Sequence, residues 1–134
     1  MIYLLDTCVV SDFIKGDAPT LNHIKRKSPH TLTISSITMM ELTYGLTLNP
    51  ARAKKIQPIL NDFLRAISIT AFEEKEAVCA GKIRSTLKQL GTPIGSYDVL
   101  LAGTALHHDL ILVTSNLREF ERIEGLRLEN WREI

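Results

Sequence analysis

Residues 1–13 read MIYLLDTCVVSDF, and this short stretch is the most informative part of the chain about its fold. Ile2–Leu5 is an apolar run without polar alternation, which is typical of a strand buried on both faces of a parallel sheet. An acid, Asp6, follows this run directly, and a helix is predicted to begin near Thr7. The stretch therefore predicts the first strand and the first connecting helix of an α/β protein.

Similar apolar runs recur along the rest of the chain, at Leu32–Ile34, Ile67–Thr70, Ile111–Thr114 and Leu126–Leu128. Helical patterns lie between them, notably over Ala51–Arg65, Phe72–Leu90 and Val99–Leu106. Strands that alternate with helices indicate an α/β layer fold with right-handed connections and a mainly parallel sheet.

Length and composition are those of an ordinary globular domain. The chain has 134 residues, of which 45% are hydrophobic and 23% charged, and no linker, repeat or low-complexity tract interrupts it. The 16 basic and 15 acidic residues give a net charge of +1, which excludes a strong overall attraction to nucleic acid. We therefore expect one domain over residues 1–134.

The cysteines and the hydropathy pattern favour a cytoplasmic protein. Cys8 and Cys79 form no CxxC pair, which excludes a disulfide scaffold or a zinc ribbon and fits a reducing compartment. No apolar run approaches the roughly 20 residues needed to span a bilayer, so no membrane association is expected.

Three acids and an amide occupy related positions in this predicted fold. Asp6 and Asn116 each follow a strand, Glu41 is expected in the first turn of a helix beginning near Ile37, and Asp98 opens another helix. The carboxyl ends of parallel strands and the amino ends of the following helices meet at one edge of the sheet. Such a cluster repels itself unless a cation enters. A hard divalent ion such as Mg²⁺ could activate a water there for attack on a phosphodiester.

Each of these residues also has a purely structural interpretation, and spacing alone leaves both open. Asp6 could cap the helix near Thr7, and Thr38-x-x-Glu41 and Asn116-x-x-Glu119 both match capping boxes. Asp98 would be favoured in a first helical turn by the helix dipole alone.

Other candidate motifs are weaker. The four histidines, His23, His30, His107 and His108, have no paired metal-ligand spacing and are interpreted as surface residues. The acidic stretch 73–76 is interpreted as a solvated helix start, and the basic clusters 25–27 and 54–55 as exposed helix faces. No nucleophile elbow or glycine-rich phosphate loop is present.

Four blocks of the chain together resemble PIN domains, and more narrowly the VapC-type toxic ribonuclease subunit of VapBC toxin–antitoxin modules. They are MIYLLDTCVVSDF at 1–13, ISSITMMELTYG at 34–45, GTPIGSYDVLLAGTAL at 91–106 and VTSNLREF at 113–120. The resemblance implies a three-layer α/β/α sandwich that cleaves RNA with Mg²⁺ or Mn²⁺.

Carried over by position, the family's site residues fall on Asp6, Glu41, Asp98 and Asn116. The resemblance implies that Asp6 and Asp98 bind the metal, that Glu41 acts through a water on it, and that Asn116 orients that water or a ligand. It also makes Arg118 a candidate phosphate contact.

This chain departs from the family pattern at Cys8, and the choice of residue at position 116 also affects the site. Cys8 stands where the family often has Asn, and a thiol is expected to fill the hydrogen-bonding role of that amide poorly. Asn116 stands where the family commonly has Asp or Asn, and Asn in place of Asp lowers the charge of the site by one. These two residues are the only support for an alternative function, a non-catalytic PIN-like regulator that binds RNA or a partner. Cys8 also breaks the second-acid pattern of an aspartyl phosphatase.

The resemblance further implies a homodimer and a cognate VapB-type antitoxin whose C-terminal segment lies in a hydrophobic groove. The first two helices carry apolar residues that could line that groove: Val9, Val10, Phe13, Ile14, Leu21 and Ile24. The open alternative is that these side chains only cover the sheet.

Overall fold

The computed structural model describes residues 1–132 and contains a five-stranded sheet within that range. The strands are β1 (Tyr3–Leu5), β2 (Leu32–Ser35), β3 (Ser68–Thr70), β4 (Ile111–Val113) and β5 (Arg127–Glu129). Their order is β3-β2-β1-β4-β5, and every neighbouring pair is parallel. All five predicted strands are therefore confirmed, with small shifts in their bounds.

Seven α-helices connect the strands in the described part of the chain. They are α1 (Thr7–Lys15), α2 (Ala18–Lys25), α3 (Ser36–Leu48), α4 (Pro50–Ala66), α5 (Glu74–Gln89), α6 (Ser96–His108) and α7 (Leu117–Phe120). A 3₁₀ turn, Pro29–Thr31, leads into β2. None of these helices is both long and apolar enough to cross a membrane.

Helices cover both faces of the sheet. Successive residues of each strand point to opposite faces, so neighbouring residues join different core clusters. Leu4 of β1 and Leu112 of β4 join a core cluster with α5 and α6. The next residues, Leu5 and Val113, join a second cluster with α1, α3 and α4. The expected three-layer α/β/α arrangement is confirmed.

Helices α5 and α6 pack with almost no space between them. A Cβ atom added to Gly103 on α6 would lie 2.7 Å from the Cβ of Ala80 on α5 and 2.8 Å from its backbone. No side chain larger than hydrogen fits there without moving the helices apart. The small residues of α6 are what allow this contact.

The interpretation of the acidic stretch 73–76 as solvated is wrong for one of its members. Glu76 is only 6% exposed, and its carboxylate accepts hydrogen bonds from the Glu73 N–H (3.0 Å) and from the His108 ring (2.6 Å). His107 and His108 themselves are exposed, as expected.

Candidate active site

Asp6 occupies the point where β1 ends and α1 begins. Its Oδ1 accepts the Val9 N–H at 3.1 Å, so the helix-capping interpretation is correct. The side chain is only 7% exposed, and burial raises the pKa of its carboxyl although hydrogen bonds from Cys8, Thr114 and the backbone oppose that effect. The cap also fixes the orientation of this carboxylate at the carboxyl edge of the sheet.

Glu41 lies on α3, and its carboxylate is oriented by a side chain of α1. The Thr7 hydroxyl, in the first turn of α1, donates to Glu41 Oε1 at 2.7 Å. The predicted capping box with Thr38 is wrong, because α3 begins at Ser36 and its N-cap is Ser35, which accepts the Ile37 N–H. Glu41 therefore lies in the second turn of its helix rather than the first, and its side chain bonds across to α1.

Asp98 lies in the first turn of α6, as predicted, and is surrounded by other acids. The pKa of its carboxyl is raised to about 7, and burial is the largest cause. A hydrogen bond with Glu119 and the negative charges of Glu119, Asp6 and Glu41 raise it further. A Cβ atom on the preceding Gly95 would lie 3.0 Å from Asp98 Oδ2, so glycine at that position leaves the carboxylate room.

Glu119 is the acid that sequence reasoning missed. The four-residue helix α7 returns the chain so that the Glu119 carboxyl shares a hydrogen bond with that of Asp98. The Asn116-x-x-Glu119 spacing was the available signal, but it indicated a capping box, and Asn116 makes no side-chain cap here. The acid cluster therefore consists of Asp6, Glu41, Asp98 and Glu119.

Asn116 is exposed, and its side-chain amide forms a hydrogen bond with one acid of this cluster. Its Nδ2 donates to Glu119 Oε2 at 2.9 Å, and its backbone N–H donates to the Thr114 hydroxyl at 3.0 Å. Arg118, the candidate phosphate contact, is exposed beside it on α7.

The Cys8 thiol makes more contacts than expected. Its Sγ donates to Asp6 Oδ1 at 2.7 Å and lies 3.3 Å from Ser115 Oγ. Burial and the charge of Asp6 raise the pKa of the thiol to about 11. The group therefore stays protonated near neutral pH and bonds beside the acids, which the sequence analysis did not expect of a thiol.

No basic side chain in the described residues forms an ion pair with the acid cluster. The ion pairs found in residues 1–132 involve other acids, namely Asp12, Asp62, Glu76 and Asp109. Oxygen donors without a basic partner fit a hard divalent cation, and Mg²⁺ keeps several waters, so such a site needs no closely packed ligand shell. The donor set therefore fits the metal that the resemblance implies.

An apolar groove begins at the acid cluster, although its lining differs from the predicted one. Val9 and Val10 are buried against the sheet, so for these two residues the alternative interpretation, that they only cover the sheet, holds. The groove lies between α1, α3 and α4 instead and runs from Thr7 and Glu41 past Ile14, Leu46 and Ile56 to Arg52.

Comparison with known proteins agrees with this fold. Residues 3–126 match the PIN domain family, and the chain belongs to that family. It is 36% identical over 129 residues to the tRNA(fMet)-specific endonuclease VapC of Salmonella typhimurium, covering 96% of this chain and 97% of that protein. It is 38% identical over 133 residues to ribonuclease VapC2 of Rickettsia felis, covering 98% of each.

A solved structure matches the whole architecture. The crystal structure of VapBC2 from Rickettsia felis bound to a DNA fragment from their promoter superposes with a TM-score of 0.89 at 36% identity. The match covers 98% of this chain and 99% of that one.

Proposed function

We propose that residues 1–134 form a single nuclease domain, the toxin of a type II toxin–antitoxin module, which hydrolyses RNA phosphodiester bonds with Mg²⁺ or Mn²⁺. One observation carries this proposal: the Asp98 carboxyl faces Glu119, Asp6 and Glu41, and no ion pair in the described residues neutralises them. The names of the similar VapC nucleases support the same activity.

In this proposal Asp6 and Asp98 bind the metal directly and Glu119 completes its acidic surroundings. A divalent ion held there would supply an activated water and stabilisation of the charge that develops on the phosphate. Glu41, fixed by Thr7, orients the attacking water. Asn116 holds Glu119 in place, and is a positioning residue rather than the fourth acid.

The substrate class follows from the similar proteins and from the surface beside the acids. We take initiator tRNA as the first RNA to test, because one similar nuclease is named for it. Arg118 is exposed next to Glu119 and is placed to contact a phosphate of the bound strand.

The proposed partners are a second copy of the chain and a VapB-type antitoxin. An antitoxin segment that lies in the groove between α1, α3 and α4 would pass Arg52 and end at Glu41, and it would block the acid cluster. A toxin of this kind acts on RNA in the cytoplasm.

Cleavage of initiator tRNA and of total RNA by purified, antitoxin-free protein tests the proposal. We expect discrete fragments with Mn²⁺ or Mg²⁺, none with EDTA, and none from an Asp98→Asn variant. Asp62→Asn, which removes an exposed acid on α4, is the matched control and should cut like the wild type. If the folded wild type binds metal and RNA but yields no fragments from either RNA, the non-catalytic alternative replaces the nuclease.

A further inference from the structure

Three side chains with metal-binding atoms meet at the end of α6 that is remote from Asp98. They are Glu76 on α5 and His107 and His108 on α6, and their ligand atoms all lie within 4.8 Å of one another. In the described part of the chain, this is the only trio of acids, histidines or cysteines gathered so closely. His108 lies ten positions after Asp98 on α6, about 15 Å along the helix axis, so the trio is distinct from the acid cluster.

The Glu76 carboxylate is already fixed in one orientation. Its Oε1 accepts the Glu73 N–H at 3.0 Å, which leaves Oε2 for the His108 Nε2 at 2.6 Å. Hydrogen bonds from its own backbone N–H, from His108 and from Glu73 lower the pKa of this carboxyl to about 2, against the effect of burial. A buried, ionised and oriented carboxylate is one of the usual ligands of a protein metal site.

The position of His107 distinguishes this trio from a simple ion pair. Glu76 and His108 alone would form a complete pair. The His107 ring lies edge-on to that of His108, with centroids 4.8 Å apart, and brings a second imidazole nitrogen to the same carboxylate. The next acid along the chain, Asp109, bonds to Arg127 and contributes nothing here.

We propose that Glu76, His107 and His108 form a second metal site that binds Zn²⁺ or a similar transition-metal ion. Two imidazoles and one carboxylate are a three-ligand zinc set that leaves the fourth position to water, whereas Mg²⁺ takes oxygen ligands. Coordination by His108 Nε2 displaces the proton that this nitrogen donates to Glu76, and the ring then carries its proton on Nδ1 or, if it was doubly protonated, releases one to solvent. Only modest movement of the exposed histidines is needed to reach bond lengths of about 2.0–2.2 Å.

The metal would join the beginning of α5 to the end of α6. These helices already touch at Ala80 and Gly103, so the ion adds a cross-link to a preformed hairpin. Its expected effect is on the stability of this hairpin, with no change in RNA cleavage, because the ligands lie outside the acid cluster.

Titration calorimetry with ZnCl₂ and thermal melting test this inference. Both use a chain carrying Asp6→Asn and Asp98→Asn, so that the acid cluster contributes little to zinc binding. We expect binding of one Zn²⁺ per chain and a rise in Tm. Adding His107→Ala should weaken binding more than about tenfold, a conservative figure for a lost ligand, and abolish the rise in Tm. His30→Ala, which removes an exposed histidine elsewhere, is the matched control.

His107→Ala is the decisive variant because it leaves the Glu76–His108 pair intact. An ion pair without a metal site predicts no effect of this substitution on zinc affinity, and that result would overturn the inference. Glu76→Gln gives a second, independent loss of binding, with circular dichroism to confirm folding. The single variant His107→Ala should retain RNA cleavage, which separates failure of this inference from failure of the proposed nuclease.

Discussion

The side-chain amide of Asn116 donates a 2.9 Å hydrogen bond to Oε2 of Glu119, and Glu119 in turn shares a hydrogen bond with Asp98. An amide at position 116 therefore does not simply remove a charge from the site. It supports a carboxylate three residues later that interacts with Asp98, the acid in the first turn of α6. One of the four acids of the cluster is therefore a residue whose spacing from Asn116 indicated a helix cap.

Replacing Glu119 with Gln tests this relationship. We expect cleavage to fall about 10- to 100-fold, the range seen when groups that orient a metal site are removed. The pKa of Asp98 in the metal-free protein should also fall, because Glu119 is one cause of its elevation. Carboxyl NMR titration and cleavage rates measure the two effects. Glu121→Gln, an exposed acid of the same segment, should change neither.

The bond from Thr7 to Glu41 predicts a separation of activity from stability. Thr7→Val removes the 2.7 Å hydrogen bond and frees Glu41, which should lower kcat about tenfold or more. The free energy of unfolding should fall by only about 1 kcal/mol, the usual net contribution of one hydrogen bond. Thr7→Ser keeps the hydroxyl and should restore most of the rate. Equal rates for the Val and Ser variants would show that this bond has no role in positioning Glu41.

The raised pKa of Asp98 predicts how stability changes with pH without metal. Its value of about 7 exceeds the 3.8 of an unperturbed carboxyl, so between these values the folded state binds more protons than the unfolded state. Stability therefore falls as pH rises from about 4 to about 7. Thermal melting in EDTA should show this fall in the wild type and a smaller one in Asp98→Asn.

Binding of a divalent metal ion should reverse this loss of stability at higher pH. Mn²⁺ binds ionised carboxylates, so the increase in Tm that it produces should be larger above pH 7 than at pH 5. A metal-induced increase that does not depend on pH would contradict the assignment of Asp98 as a ligand.

The contact between α5 and α6 predicts opposite outcomes for two glycines. Gly103→Ala places a methyl group against Ala80 and should destabilise the protein by about 1–3 kcal/mol. Gly81→Ala, on α5, meets nothing within 4 Å and should stabilise it by up to about 1 kcal/mol through helix propensity. Denaturant unfolding of both variants measures the difference, and similar values for the two would contradict the packing described here.

The sequence by itself determined the strands, the layer order and three of the four acids. Apolar runs such as Ile2–Leu5 and Ile111–Thr114 are local signals, and the geometry of a parallel sheet then brings Asp6, Glu41 and Asp98 to one edge. These inferences succeed because they depend on periodicity and on a rule shared by all parallel α/β sheets.

Only the tertiary structure decided which side chains meet across elements. Glu119 reaches Asp98 because a four-residue helix turns back toward α6, and Glu76 reaches His108 because α5 and α6 pack closely at Gly103. Capping patterns in the sequence could not reveal either contact, because an acid at the same spacing can form a local helix cap or a hydrogen bond to a distant element. The outcome depends on how the helices pack, and packing is a property of the whole chain.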